Sequence, residues 1–507
     1  MLQNLFRSYF ARFMYPLAQA FVLNPILRGC LFCLPFWLYD IWLTWTVRSN
    51  FFFWDTVQLG SKHAHYFYET SFQSLLLPDA IDSGHPPFYG MYLALAWTLF
   101  GKTLIISHLA MLPFLLGITW QSLKLGEKIL GDWQAPLFIL ILKINPVMAG
   151  QSVLMSPDVV LVFFFLWALN AVFKNNFFLL SLAVFGLSLV SMRGMMAAAM
   201  LFVFQLYVSK SKVLSQPSTF FRLALPYFSG GLSALGFLVF HYIKKGWIGY
   251  HAGSEWADAF QVVDFQGFIK NCAVYIWRLI DAGHLFLWFV IVFTLCKNRL
   301  KIDFKNTQNL FMLLAISIIV LSPTLLIYKG LMQHRYILPI YLIVNLLGLK
   351  IITDLKTGKL QIGFYILVYI GLLSGHFWIY PQPIATSWDT TLSHLPYYQL
   401  RKDMLQYIDN QHIHYKDIGS AYPNLSFFKY IDLSESTDSF SPLNFEKNKY
   451  IFYSNVMNDF NRKELDALQK HWKPIKTLSA YPTGAIGTSS QSVWVGQVFV
   501  TLYEKVE

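Results

Sequence analysis

The chain has 507 residues, of which 55% are hydrophobic, 18% aromatic and only 13% charged. A soluble domain carries about 25% charge, so half that share, with apolar runs of about 20 residues, excludes a soluble globular protein and points to an integral membrane protein. The formal charge of +12 invites a nucleic-acid partner, but the Lys and Arg residues fall in short clusters between apolar runs, which is a topology signal and argues against nucleic acid.

In chain order, residues 1–28 set Arg7, Arg12 and Arg28 among Phe, Tyr and Leu without a small-residue cleavage site, and are expected at the cytoplasmic membrane surface. Spans are predicted at about 29–47, 105–122, 134–152, 158–174, 177–191, 195–209, 223–242, 284–297, 309–328, 336–350 and 361–379. Cations cluster at Lys124 and Lys128, Lys174, Lys210 to Arg222, Lys297 to Lys305, and Lys350 to Lys359. If each cluster is cytoplasmic, parity closes only when 86–100, opened by Pro86-Pro87 and short for a span, does not cross. The fold class expected is therefore a mostly α polytopic membrane protein of about eleven spans, with 86–100 as an outer juxtamembrane helix. Residues 29–380 form the membrane domain, and 48–104 its first outer loop. A further outer loop covers 243–283. Spanning runs stop after 380, and residues 381–507 read as a small extracytoplasmic α/β domain. Its helices are predicted at 394–411 and 461–472, and its strands at 417–422, 449–455 and 493–505.

Chemistry-bearing residues gather at the predicted outer face. Asp55 follows the first span, where it suits a helix N-cap or a carboxylate working at the membrane–water boundary. Asp158 sits in Ser156-Pro157-Asp158 at a helix start, matching both a cap pattern with its dipole preference and a second site acid. His85 lies at the rigid corner before Pro86-Pro87, with Asp82 or Ser83 available to cap the helix. His63 and His65, at i,i+2, do not share a helical face. Arg193 falls in a turn between two apolar segments, where an outer cation needs an anion: a lipid headgroup or a substrate phosphate. His334 and Arg335 open a late span. The loop with Lys244, Lys245, Trp247, Tyr250, His251, Glu255 and Trp256 either covers the site or forms an interfacial belt. Asp40, inside the first span, requires a partner that the sequence does not name.

Taken in order, an outer Trp54-Asp55-Thr56, then Gly84-His85-Pro86-Pro87-Phe88-Tyr89-Gly90, then Ser156-Pro157-Asp158, a cation in a helix–helix turn, and an outer Arg335-Tyr336 resemble the GT-C membrane glycosyltransferases. The branch is that of the protein O-mannosyltransferases and the bacterial transferase that puts aminoarabinose on lipid A. The resemblance covers roughly residues 29–380. It implies a polyprenyl-phosphate-linked sugar donor, used on the outer leaflet of a bacterial inner membrane with inversion at the anomeric carbon. It further implies a lipid, glycan or protein acceptor. Asp55 and Asp158 are then the catalytic carboxylates, and His85, Arg193, His334 and Arg335 bind substrate. Relatives often carry Asp-Glu where this chain has Asp55-Thr56, and a charged residue where it has His85. A divalent cation at Asp55 and Asp158 thus stays an open question. The rival reading is a carrier or flippase for a lipid-linked sugar, which predicts inverted repeats and broken helices in matching halves; the sequence has neither.

Overall fold

The computed structural model describes residues 24–253, 257–297, 304–355, 358–378, 380, 388–422, 424–456, 460–481 and 497–506. The expected interfacial N-terminus therefore lies almost wholly outside the described residues, as do Glu255, Trp256, Arg299, Lys301 and Lys356. Six helices are long and apolar enough to cross a membrane: α1 (Pro25–Val47), α4 (Leu104–Ile129), α7 (Pro157–Lys174), α10 (Ser218–Lys245), α14 (His334–Thr353) and α15 (Gly358–Gly375). Exposed Leu38, Trp42, Leu232, Leu235, Ile366 and Ile370 coat several of them, as lipid contact requires. The protein is an integral membrane protein.

Two further segments pass the same test only as bent pairs, which corrects the expectation that the chain has no broken helices. α5 (Ala135–Ile144) and α6 (Pro146–Ser152) meet at 72°. Asn145 leaves the helix there and caps Met148, and Pro146 cannot continue the ladder of α5. α11 (Phe265–Ile280) and α12 (His284–Cys296) meet at 87°, with Ala282 and Gly283 both in the left-handed region. α11 falls in a stretch expected as loop. Its Lys270, Asn271 and Arg278 interrupt the apolar run, although Phe265, Phe268, Ile269 and Ile276 keep a helical spacing.

Three shorter apolar helices complete the bundle: α8 (Phe177–Val190), α9 (Met192–Val208) and α13 (Phe304–Leu321). α8 and α9 are joined by Ser191 alone, which is extended and caps Gly194. A Cβ on Gly194 would lie 1.9 Å from the carbonyl oxygen of Leu187, so only glycine permits so tight a turn, and Arg193 sits at it. α3 (Phe88–Phe100) has 13 residues. At about 1.5 Å per residue it is far shorter than the roughly 30 Å of a hydrocarbon core. It packs along α2 (His63–Glu69) and the π-helical turn Val57–Lys62 that precedes it.

After residue 388 the chain forms α16 (Pro396–Asn410), α17 (Arg462–His471) and a five-stranded sheet. The strands are β1 (Ile418–Ser420), β2 (Ser441–Pro442), β3 (Tyr450–Ser454), β4 (Trp472–Ala480) and β5 (Val498–Lys505), in the order β2-β1-β3-β5-β4. β1 is parallel to both neighbours, and β5 is antiparallel to β3 and β4. β4 escaped the sequence because Pro474 and three lysyl or polar neighbours break its apolar pattern. As the edge strand it tolerates a residue without an N–H.

One expectation about Asp40 is resolved. Lys143 on α5 donates to both its oxygens at 2.6 and 2.7 Å, and Thr119 on α4 adds a third bond at 3.0 Å.

Candidate active site

The site begins where α1 ends. Residues 51–53 lead without helix or strand to Trp54, a non-glycine residue in the left-handed region with φ 48°. This kink turns Asp55 into the protein, where it is 4% exposed. Asp55 is the first helical residue after this kink, and Arg335 donates to its carboxylate. Asp158 is 3% exposed. Its backbone amide is capped by Ser156, which leaves the carboxylate for other partners. Arg193 meets it at 2.8 Å, and Arg335 Nε stands 3.9 Å from its other oxygen. The result is a continuous line of alternating charge, Arg193–Asp158–Arg335–Asp55. Its members come from the α8–α9 turn, the start of α7, the start of α14 and the stretch that follows the first span.

Tyr336 organises the two cations. The Arg193 guanidinium lies 4.3 Å from the centre of its ring and that of Arg335 5.1 Å, while its hydroxyl accepts a 3.4 Å bond from Arg335. Both stacks hold a guanidinium on an aromatic face. Sequence reading gave Tyr336 no role; an aromatic residue next to a site arginine was the available signal. Arg193 is thus a paired and stacked group rather than one extended to headgroups.

Beside the Arg193–Asp158 end lies a small pocket of about 20 Å³ lined by His63, His85, Pro157, Asp158, Ser191 and Arg193. His85 accepts a 3.4 Å bond from the Met192 amide, which ties it to the α8–α9 turn. Burial pushes its imidazole down to about 3, with Arg193 and His63 adding to the effect. His63 is held by the carbonyl of Ile81 at 3.0 Å, and burial lowers it to about 4. The cavity therefore offers neutral imidazoles, together with one carboxylate and one guanidinium.

His334 is not brought to this group. Its ring is taken by Asp281 at 2.8 Å and by Thr390 at 3.1 Å, in a neighbouring network that includes Arg278 and Tyr380. Asp82 does not cap α3. It accepts from the Gly84 amide at 2.9 Å and faces His241 at 3.1 Å and Lys245 at 3.5 Å. Lys245 also pairs with Asp79, and His251 bonds the Asp79 carbonyl at 3.2 Å. The described part of the 243–253 loop accordingly lies against 77–84, next to His85. The contact is so close that a Cβ on Gly84 would stand 2.3 Å from the Gly249 oxygen.

Among the described residues no group of three or more His, Cys, Asp or Glu side chains could hold a metal ion. Asp55 and Asp158 each face a guanidinium, so a divalent cation would have to displace an arginine.

No protein-family model matches the chain, and no curated protein matches it. A solved structure is similar to it in fold: the crystal structure of ArnT from Cupriavidus metallidurans bound to undecaprenyl phosphate. The two are 13% identical, over 71% of this chain and 65% of that one, with a TM-score of 0.48. The chain thus spans just under two thirds of that protein's length.

Proposed function

We propose that this protein is a membrane glycosyltransferase that moves a sugar from a polyprenyl-phosphate donor to an acceptor hydroxyl or phosphate at the outer face of the membrane. The observation that carries the reading is the line Arg193–Asp158–Arg335–Asp55, with two buried acids and two stacked arginines beside a cavity. Departure of a phosphate from an anomeric carbon needs cations for the phosphate and a base for the acceptor, but no strong general acid.

In this scheme the acceptor oxygen attacks C1 of the sugar. The C1–O bond to phosphate breaks with its electron pair on the polyprenyl phosphate, and the acceptor proton passes to Asp55. Attack opposite the leaving group gives inversion. Arg193 and Arg335 hold the leaving phosphate, while Asp158 and His85 orient the reactants. A bound phosphate competes with the carboxylates for both guanidiniums, so donor binding itself loosens Asp55 from Arg335 and frees it to accept a proton.

Parity supports a common face for these groups. Asp55 and Asp158 lie in one connected group, so an even number of crossings separates them. α4 and the α5–α6 pair supply two, which leaves α3 uncrossed. α7 and α8 return the chain to Arg193, and α9, α10, α11–α12 and α13 return it to Arg335. With α1, α14 and α15, and with the shorter α8, α9 and α13 taken as crossings, the proposed count is eleven. The outer placement of this end, in a bacterial inner membrane, rests on the cation clusters at the other end.

Mass spectrometry of envelope glycolipids and glycoproteins from cells with and without the protein tests the reading. Loss of one sugar from one acceptor is expected. An unchanged glycan profile with impaired movement of lipid-linked sugar across the membrane would replace the transferase with a carrier.

A further inference from the structure

The two members of the Asp55–Arg335 pair are separated by 280 residues, yet both are fastened by the same later stretch of chain. On the Asp55 side, Ile431 accepts from the Phe52 amide at 2.8 Å and the Tyr422 hydroxyl donates to the Trp54 carbonyl at 3.0 Å. The Phe51 ring packs edge-on at 4.7 Å against Tyr398, and that of Phe53 lies 4.7 Å from His394. These contacts bracket the strained Trp54, whose kink aims Asp55. On the Arg335 side, Thr390 meets His334 Nδ1 at 3.1 Å, and His334 Nε2 meets Asp281 at 2.8 Å. Asp281 is fixed in turn by its bonds from the Ala282 amide and Tyr380. His334 opens the 3-10 turn His334–Ile337 that carries Arg335 and Tyr336.

We infer that residues 388–431 act as a clamp on the active site: Thr390, through His334, positions Arg335, while Tyr422 and Ile431 position Asp55. Thr390, His334 and Tyr422 are positioning residues. The clamp gives the C-terminal domain a role in the reaction, and it rests on the proposed function in taking Arg335 as a phosphate ligand. The His334–Asp281 contact is buried, with both side chains 2% exposed, so it reaches substrate only through the turn it holds. A hydroxyl that fixes one side of such a turn is worth about one hydrogen bond, which corresponds to roughly 3- to 10-fold in affinity.

The test measures binding of a long-chain polyprenyl monophosphate to the full-length protein in lipid nanodiscs, with amide hydrogen exchange read on the same samples. Thr390→Val is expected to weaken binding about 3- to 10-fold and to speed exchange at 334–337. Thr390→Ser, which keeps the hydroxyl, should bind within twofold of wild type. Tyr422→Phe should speed exchange at 52–57 and leave phosphate affinity unchanged. If Thr390→Val does not fold, Thr390→Ala replaces it with the same expectations. Binding within twofold in the Val or Ala variant, or a Ser variant as weak as either, overturns the clamp. Arg335→Met separates the two readings. Loss of binding there beside a silent Thr390→Val refutes the clamp alone, whereas wild-type binding by Arg335→Met refutes the phosphate site on which the clamp rests.

Discussion

Asp40 and Lys143 bind α1 to α5 inside the membrane, and the pair gives a sharp energetic prediction. Asp40 is 1% exposed and Lys143 9%, and both carboxylate oxygens lie within 2.7 Å of the ammonium. Substituting Lys143→Met leaves a buried carboxylate with only the Thr119 hydroxyl. Breaking one side of such a pair costs about 3–5 kcal/mol, because the remaining charge stays desolvated. Asp40→Asn should cost somewhat less, since an amide still accepts from Thr119. The double variant Asp40→Asn/Lys143→Met removes both charges and keeps much of the volume, so it should fall within about 1–2 kcal/mol of wild type. A coupling energy of at least about 2 kcal/mol should therefore appear in the double-mutant cycle. Equilibrium unfolding in bicelles measures it. Additive losses, with the double variant as unstable as the sum of the singles, would refute the claim that this pair joins the first span to the bundle.

Other outcomes follow from the site. Arg193→Met removes a charge-assisted contact of about 1.5–3 kcal/mol and should raise the donor KM roughly 10- to 150-fold. Arg193→Lys should be milder, losing chiefly the stack on Tyr336. Gly84→Ala, at φ +70° and facing Gly249, should detach the 246–253 loop, read as faster proteolysis there at unchanged global stability. Burial lowers His63 and His65 from 6.5 to about 4 and His85 to about 3. The unfolded chain therefore binds more protons in that window, and stability should fall as pH drops from 6.5 towards 4 and level off above 6.5. A flat profile across that window would contradict their burial as neutral rings.

Much of this arrangement was legible because membranes impose simple rules. Apolar runs located the helices long enough to span, and the short run after Pro86-Pro87 pointed to a helix below spanning length, as α3 is. Acids and arginines at one predicted face named four of the groups that do converge. Pairings between helices were not legible. Nothing local ties Asp40 to Lys143, Asp82 to His241, or His334 to Asp281, because such contacts depend on how the helices pack. The bends were hidden for a related reason: Asn145-Pro146 carried a break signal inside a run that read as one span. α11 was hidden by the polar residues on its own surface, and β4 by the lysines and proline suited to an edge strand.

In the proposed reaction Asp55 takes the acceptor proton while Arg335 holds the leaving phosphate. Single-turnover transfer from a polyprenyl-phosphate sugar by the purified Asp55→Asn variant tests it most directly. Donor binding within a few-fold of wild type is expected, with a transfer rate lower by at least about 100-fold, the scale of general-base catalysis. Transfer at the wild-type rate with Asn at position 55 would contradict it.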